Sequence, residues 1–132
     1  MYDAAGLEVL SREECLRLLA RTPVGRLVFT DRALPAAHPV VYALDGESVV
    51  MRLPEGSAAL TARDTVVAFE IDDLAHDLSK GWSVLAVGHV SEVSDRCELA
   101  RLDGLGLPSR GWGGGDHYLV VELELLTGRR IP

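Results

Sequence analysis

Lysine is almost absent from this chain. Lys80 is the only one, so twelve of the thirteen basic residues are arginine. Any function that needs an ammonium group must use Lys80 or do without. GC-rich codon usage is the simplest source of the bias, but arginine also keeps its charge when partly buried and grips phosphate or carboxylate with a planar fork. Cysteine is scarce too. Cys15 and Cys97 both fall in leucine-rich helical patterns, which excludes a disulfide framework and predicts a reduced intracellular protein with two buried thiols. No apolar run approaches the ~18 residues a spanning helix needs. The first residues lack a basic-then-apolar leader, so the expectation is a cytoplasmic protein with no membrane partner. Positive charge is in deficit, with 20 acidic against 13 basic residues and a net charge of −7. Such a chain repels phosphate backbones, so no nucleic-acid partner is expected, although a local basic patch stays open.

What is present is an ordinary globular balance: 132 residues, 48% hydrophobic and 25% charged. That supports one domain over 1–132 with a core of its own. Residues 1–9 carry no period and read as a loose lead-in. Ser11-Arg12-Glu13-Glu14 is a capping box, with Leu10 and Cys15 placed for a hydrophobic staple. The helix it opens ends at Thr22-Pro23. Strands follow over 25–30, 34–44 and 48–53. Pro35 and Pro39 predict that the second is an edge or irregular there, and Asp45-Gly46 signals a hairpin. Ser57 is placed to cap a short helical turn over 58–63. Further strands are expected over 65–72 and from Gly81 to about Val93. Asp95-Arg96-Cys97-Glu98 caps a second helix, stopped by Gly104 and Gly106. A glycine-rich loop over 108–116 then leads to an alternating strand, 118–126, with Leu119, Val121, Leu123 and Leu125 on one face. Six strands joined by hairpin-length links, without alternating βαβ units, predict a mainly β fold with some helix: a small antiparallel barrel with peripheral helices.

Few residues advertise chemistry. No Gly-x-Ser-x-Gly is present, neither cysteine has an activating context, and His38, His76, His89 and His117 lie too far apart in sequence for a spaced metal pair. No metal site and no catalytic residue are assigned. The loop Gly111–Asp116 lacks the Lys-Ser/Thr and the following helix of a phosphate loop; a surface loop with Trp112 as a lid or contact residue is the better description. Met51–Arg63 is more informative. A strand end with Arg52, a Pro-x-Gly-Ser turn and a helix start are together a plausible anion site, with a tight strand-to-helix connection as the plain alternative.

The order of pieces resembles the pyridoxamine 5′-phosphate oxidase-like, FMN-binding split-barrel family. The pieces are Leu10–Cys15, Pro23-Val24-Gly25-Arg26-Leu27, Pro39–Leu44, Val67–Asp72, Gly81-Trp82-Ser83-Val84, Asp116-His117-Tyr118 and Thr127–Ile131. The resemblance implies a six-stranded antiparallel split β-barrel, a homodimer, and flavin sites between subunits. It places the flavin ring against His38, Pro39, Val40, Val41 and Tyr42. It places the phosphate near Met51, Arg52 and Leu53, then Ser57 and Ala58. Trp82 and Ser83 would line the cleft, and Arg129 or Arg130 would reach the partner's site. An apolar shelf, backbone donors and cations suit such a cofactor. One departure matters. The family's turn commonly reads Gly-Ser/Thr-Lys, whereas this chain has Gly56-Ser57-Ala58-Ala59. Losing a charge-assisted phosphate contact of roughly 1.5–3 kcal/mol would weaken FMN binding ~10–100-fold, unless Arg52 or Arg63 compensates. The leading expectation is an FMN-binding oxidoreductase acting on an unknown small molecule. The alternatives are a deazaflavin-binding relative, a non-catalytic dimeric binding or regulatory protein with weakened or lost flavin binding and so with no cofactor in the limit, and a haem-binding barrel using a histidine such as His38 or His89.

Overall fold

The computed structural model describes residues 1–109 and 116–132; the expectation for Trp112 lies outside the described residues. The chain forms β1 (Glu8–Val9), α1 (Arg12–Arg21), β2 (Val24–Asp31), β3 (Leu34–Asp45), β4 (Ser48–Pro54), a 3₁₀ turn (Ala58–Ala62), β5 (Val66–Leu74), β6 (Gly81–Glu92), α2 (Arg96–Asp103), β7 (Asp116–Glu122) and β8 (Leu125–Arg130). Both helices start on the predicted caps. The Ser11 hydroxyl accepts from the Glu14 N–H, and the Asp95 carboxylate from the Glu98 N–H. Thr22 caps the end of α1.

Six strands close a barrel in the order β6-β5-β2-β3-β4-β7, with β7 returning to β6 through Val90↔Val121 to Glu92↔Leu119. All pairs are antiparallel. β8 and β1 extend the sheet beyond the barrel. β8 takes the remaining part of the β6 edge, from Trp82↔Arg130 to Val87↔Leu125, and β1 adds to β8. The single expected strand over 118–126 is thus two strands, broken at Leu123-Glu124. Leu119 and Val121 are buried inside the barrel, but Leu125 is exposed. The break falls where the chain leaves β7's place beside β6 and crosses to β8's. A Cβ on Gly88 would lie 1.6 Å from the Glu122 carbonyl oxygen, so only glycine lets the strands pass.

The first nine residues are held rather than loose. Asp3 accepts from the Ala5 and Leu7 N–H groups and from Arg129 Nε, and β1 pairs with β8. A two-residue strand is too short to leave a period in the sequence.

The barrel interior is filled by Leu27, Met51, Phe69, Ile71, Val84 and Leu119, and α1 plugs it with Cys15, Leu18 and Leu19. A smaller cluster of Val50, Leu102, Leu107 and Tyr118 lies under α2. Cys15 is buried as expected, but Cys97 is exposed. It lies in the first turn of α2, whose only fully buried residue is Leu102. No described helix is long and apolar enough to cross a membrane.

Candidate functional site

β3 serves two neighbours in turn. Leu34–Val41 pairs with β2, and Tyr42–Asp45 pairs with β4. The β3–β4 ladder stops at Tyr42↔Met51, and beyond it the strands diverge. Pro39 has no N–H to continue such a ladder. A cleft of about 400 Å³ opens there, lined by Val24, His38, Pro39, Val40, Val41, Arg52, Leu53, Pro54, Ser57, Ala59, Leu107 and Pro108. Its walls are mostly apolar. His38 is fixed edge-on to Phe29 with ring centres 5.1 Å apart.

The polar end is set by β4 and the turn after it. Arg52 Nε donates to Asp116 Oδ2 at 2.8 Å, Nη1 donates to the Leu107 carbonyl at 3.3 Å, and the guanidinium lies 5.4 Å from the centre of the Tyr118 ring. Ser57 caps the 3₁₀ turn, its hydroxyl accepting from the Ala59 N–H.

Seven of the expected site residues therefore meet in one cleft: His38, Pro39, Val40, Val41, Arg52, Leu53 and Ser57. The others go elsewhere. Tyr42 and Met51 turn into the core because side chains alternate along a strand; the Tyr42 ring packs on Phe69 and its hydroxyl donates to the Leu19 carbonyl at 2.7 Å. Burial raises the Tyr42 phenol well above its usual value. Ala58 packs against the core. Arg63 lines a different hollow with Asp64 and Glu92, donating to Glu92 at 2.6 Å. Trp82 and Arg130 border a third hollow with Asp73 and Lys80. Ser83 lies on β6 between Asp72 and Arg129, and Arg129 bonds Asp3. His89 is exposed and bonds Glu124, and it is not among the residues lining the cleft that holds His38.

The cleft also contains residues the sequence did not single out: Val24, Pro54, Ala59, Leu107 and Pro108. Beside it, His117 joins Glu55 through Nε2 and Glu92 through Nδ1. The hydrogen bonds its protonated ring donates, to Glu55 first and then to Glu92, raise its pKa above the ordinary histidine value. Among the described residues no group of three or more His, Cys, Asp or Glu side chains could hold a metal.

The pyridoxamine 5′-phosphate oxidase family profile matches residues 11–130. The chain belongs to this family. It is similar to Uncharacterized protein Rv0080 of Mycobacterium tuberculosis, at 38% identity over 128 residues, covering 92% of this chain and 84% of the relative. Among solved structures it is similar to the FAD binding protein from Mycobacterium smegmatis. There the TM-score is 0.78 at 30% identity, covering 93% of this chain and 96% of that one. A conserved protein of unknown function from Corynebacterium diphtheriae superposes with a TM-score of 0.81 at 25% identity, over 96% and 98% of the two chains. The split barrel with peripheral helices is thus the family's architecture carried by this chain.

Proposed function

We propose that this protein binds a flavin in the cleft between β3 and β4, and acts as a flavin-dependent oxidoreductase on a small molecule. One observation carries the reading: the β3–β4 ladder ends at Tyr42↔Met51 and leaves an apolar-walled cleft with a guanidinium at one end. Its volume, about 400 Å³, falls within the ~300–1,000 Å³ of small-molecule sites. The residues fit a flavin ring: Pro39, Val40 and Val41 offer an apolar shelf along an unpaired strand edge. They fit its phosphate less well, since Ala58 stands at the family's lysine and Arg52 is already paired. A bound flavin would supply the electron transfer; the protein's part is to hold and shield it.

FMN is the leading cofactor. FAD is the second reading, favoured by the 30% identical structure from Mycobacterium smegmatis, which is an FAD binding protein. A deazaflavin is the third. The working unit we propose is a homodimer. Trp82, Ser83, Arg129 and Arg130 lie outside the first cleft of the same chain, and a second copy can bring them to it. The outer face of β2, β5, β6 and β8 carries Val24, Val66, Leu85 and Leu125 at 43–64% exposure, set among the Arg26–Glu70 and Arg26–Asp72 ion pairs, a mixed apolar and charged surface that a second copy can cover.

The test is the absorbance spectrum of purified protein, followed by titration with FMN, FAD and a deazaflavin. A flavin spectrum, or micromolar binding of one of the three, is the expected result. No binding of any at high micromolar concentration would leave a barrel without a cofactor, and Ala58→Lys would then be expected to restore FMN binding.

A further inference from the structure

Arg52 is the one permanently charged group among the described residues lining the cleft, and it is already engaged. Its partner Asp116 is unusual. The Asp116 side chain is only 5% exposed, against 27% for Arg52. Its Oδ2 takes both Arg52 Nε at 2.8 Å and the Ser109 hydroxyl at 2.5 Å. Its Oδ1 is buried with no hydrogen-bond partner among the described residues. Separating a carboxylate this buried from the guanidinium it bonds would leave it without its cation, so each group holds the other in place.

The pair is fixed by register rather than by chance. Arg52 faces Tyr118 and Pro54 faces Asp116 across the β4–β7 ladder. Asp116 therefore starts β7 beside the end of β4 where the cleft's polar residues lie.

We propose that Asp116 determines the ligand class of the cleft. Its carboxylate neutralises Arg52, so the cleft selects a ligand by its ring and gains little from a terminal phosphate. This rests on the flavin reading above. A phosphate dianion approaching Arg52 meets a charge of its own sign that is fixed on the guanidinium. To take Arg52 it must displace Asp116 and strand a buried carboxylate. Ala58 supplies no second cation to offset that loss.

Riboflavin and FMN differ only in the phosphate, so their affinity ratio reads the effect directly. Asp116→Asn keeps the side-chain shape and removes the charge. Wild-type protein is expected to bind the two within about threefold, and Asp116→Asn to tighten FMN roughly tenfold with riboflavin unchanged. Inorganic phosphate should raise the melting temperature of Asp116→Asn but not of wild type. If Asp116→Asn does not fold, the double variant Arg52→Gln/Asp116→Asn decides: it leaves the pair's net charge at zero, as in wild type, so the wild-type ratio should survive. A wild type that strongly prefers FMN, with the preference lost in Arg52→Gln or unaltered in Asp116→Asn, overturns the proposal. If neither flavin binds, the flavin reading fails on its own and the phosphate arm still decides. Stabilisation by phosphate of Asp116→Asn alone sustains the role of Asp116. Equal responses, or stabilisation of wild type that Arg52→Gln removes, overturn it.

Discussion

Arg32 and Ala33 form the two-residue turn between β2 and β3 with φ of 51° and 65°. Neither is glycine or asparagine, and the left-handed region costs such residues about 1–2 kcal/mol each. Ala33→Gly is therefore expected to stabilise the protein by about 1 kcal/mol, read as a higher denaturant midpoint at constant slope. His117 makes a second residue-scale prediction. Its pKa is raised above 6.5 by Glu55 and Glu92, so its contribution to stability is fully present below pH 6.5 and is lost as pH rises through the raised value. Glu92 is held below 4.5 by Arg63 first, then His117. Its contribution is present above pH 4.5 and is lost as pH falls through the lowered value. Melting temperature against pH should thus fall on both sides of a plateau, and His117→Gln should flatten the alkaline fall while leaving the barrel folded. Capping residues were legible at this scale because Ser11, Ser57 and Asp95 each bond within three residues of themselves. The Arg52–Asp116 pair spans 64 positions, and no local pattern announces it.

At the scale of elements, the β6 edge is shared, and Gly88 lies at the changeover from β8 to β7. Gly88→Ala would drive a methyl group into the Glu122 carbonyl. The expected result is a loss of at least about 3 kcal/mol, the upper range for overpacking, seen as a collapsed melting temperature or insoluble protein. The same crossing explains why β7 and β8 read as one strand. Alternation continues through Leu119, Val121 and Leu123, all buried, and only contact with a glycine on β6 reveals that the chain changes place. The hairpin signal at Asp45-Gly46 was legible but shifted by one. Asp45 pairs with Ser48, so the loop is Gly46-Glu47, with φ of 61° at the glycine. The two prolines of β3 lie where only β2 flanks it, as their missing donors require.

At the scale of the molecule, barrel and helices followed from strand count, hairpin spacing and caps. The cleft was half legible. Its contiguous stretches, His38–Val41 and Arg52-Leu53, are visible in sequence; Leu107 and Pro108 join them only because α2 packs over Val50 and Tyr118. The proposed homodimer gives the prediction at this scale. Leu85 is 43% exposed on β6, opposite Glu70 and Thr127. Leu85→Glu should leave a lone chain folded, because the site faces solvent there. Sedimentation velocity should show wild-type dimers and Leu85→Glu monomers, with flavin affinity falling in step with dissociation. A wild type that sediments as a monomer and binds flavin fully would sink the dimer.

Closing this barrel is also a matter of time. β7 seals it by pairing with Ser48–Pro54 and with Val90–Glu92, so a chain made only as far as β6 has two raw strand edges and no sealed interior. Such distant pairings must pay loop-closure entropy before any contact rewards them. Until β7 arrives, the stretch Val49-Val50-Met51 has no outer neighbour and is an apolar edge open to pairing with another chain.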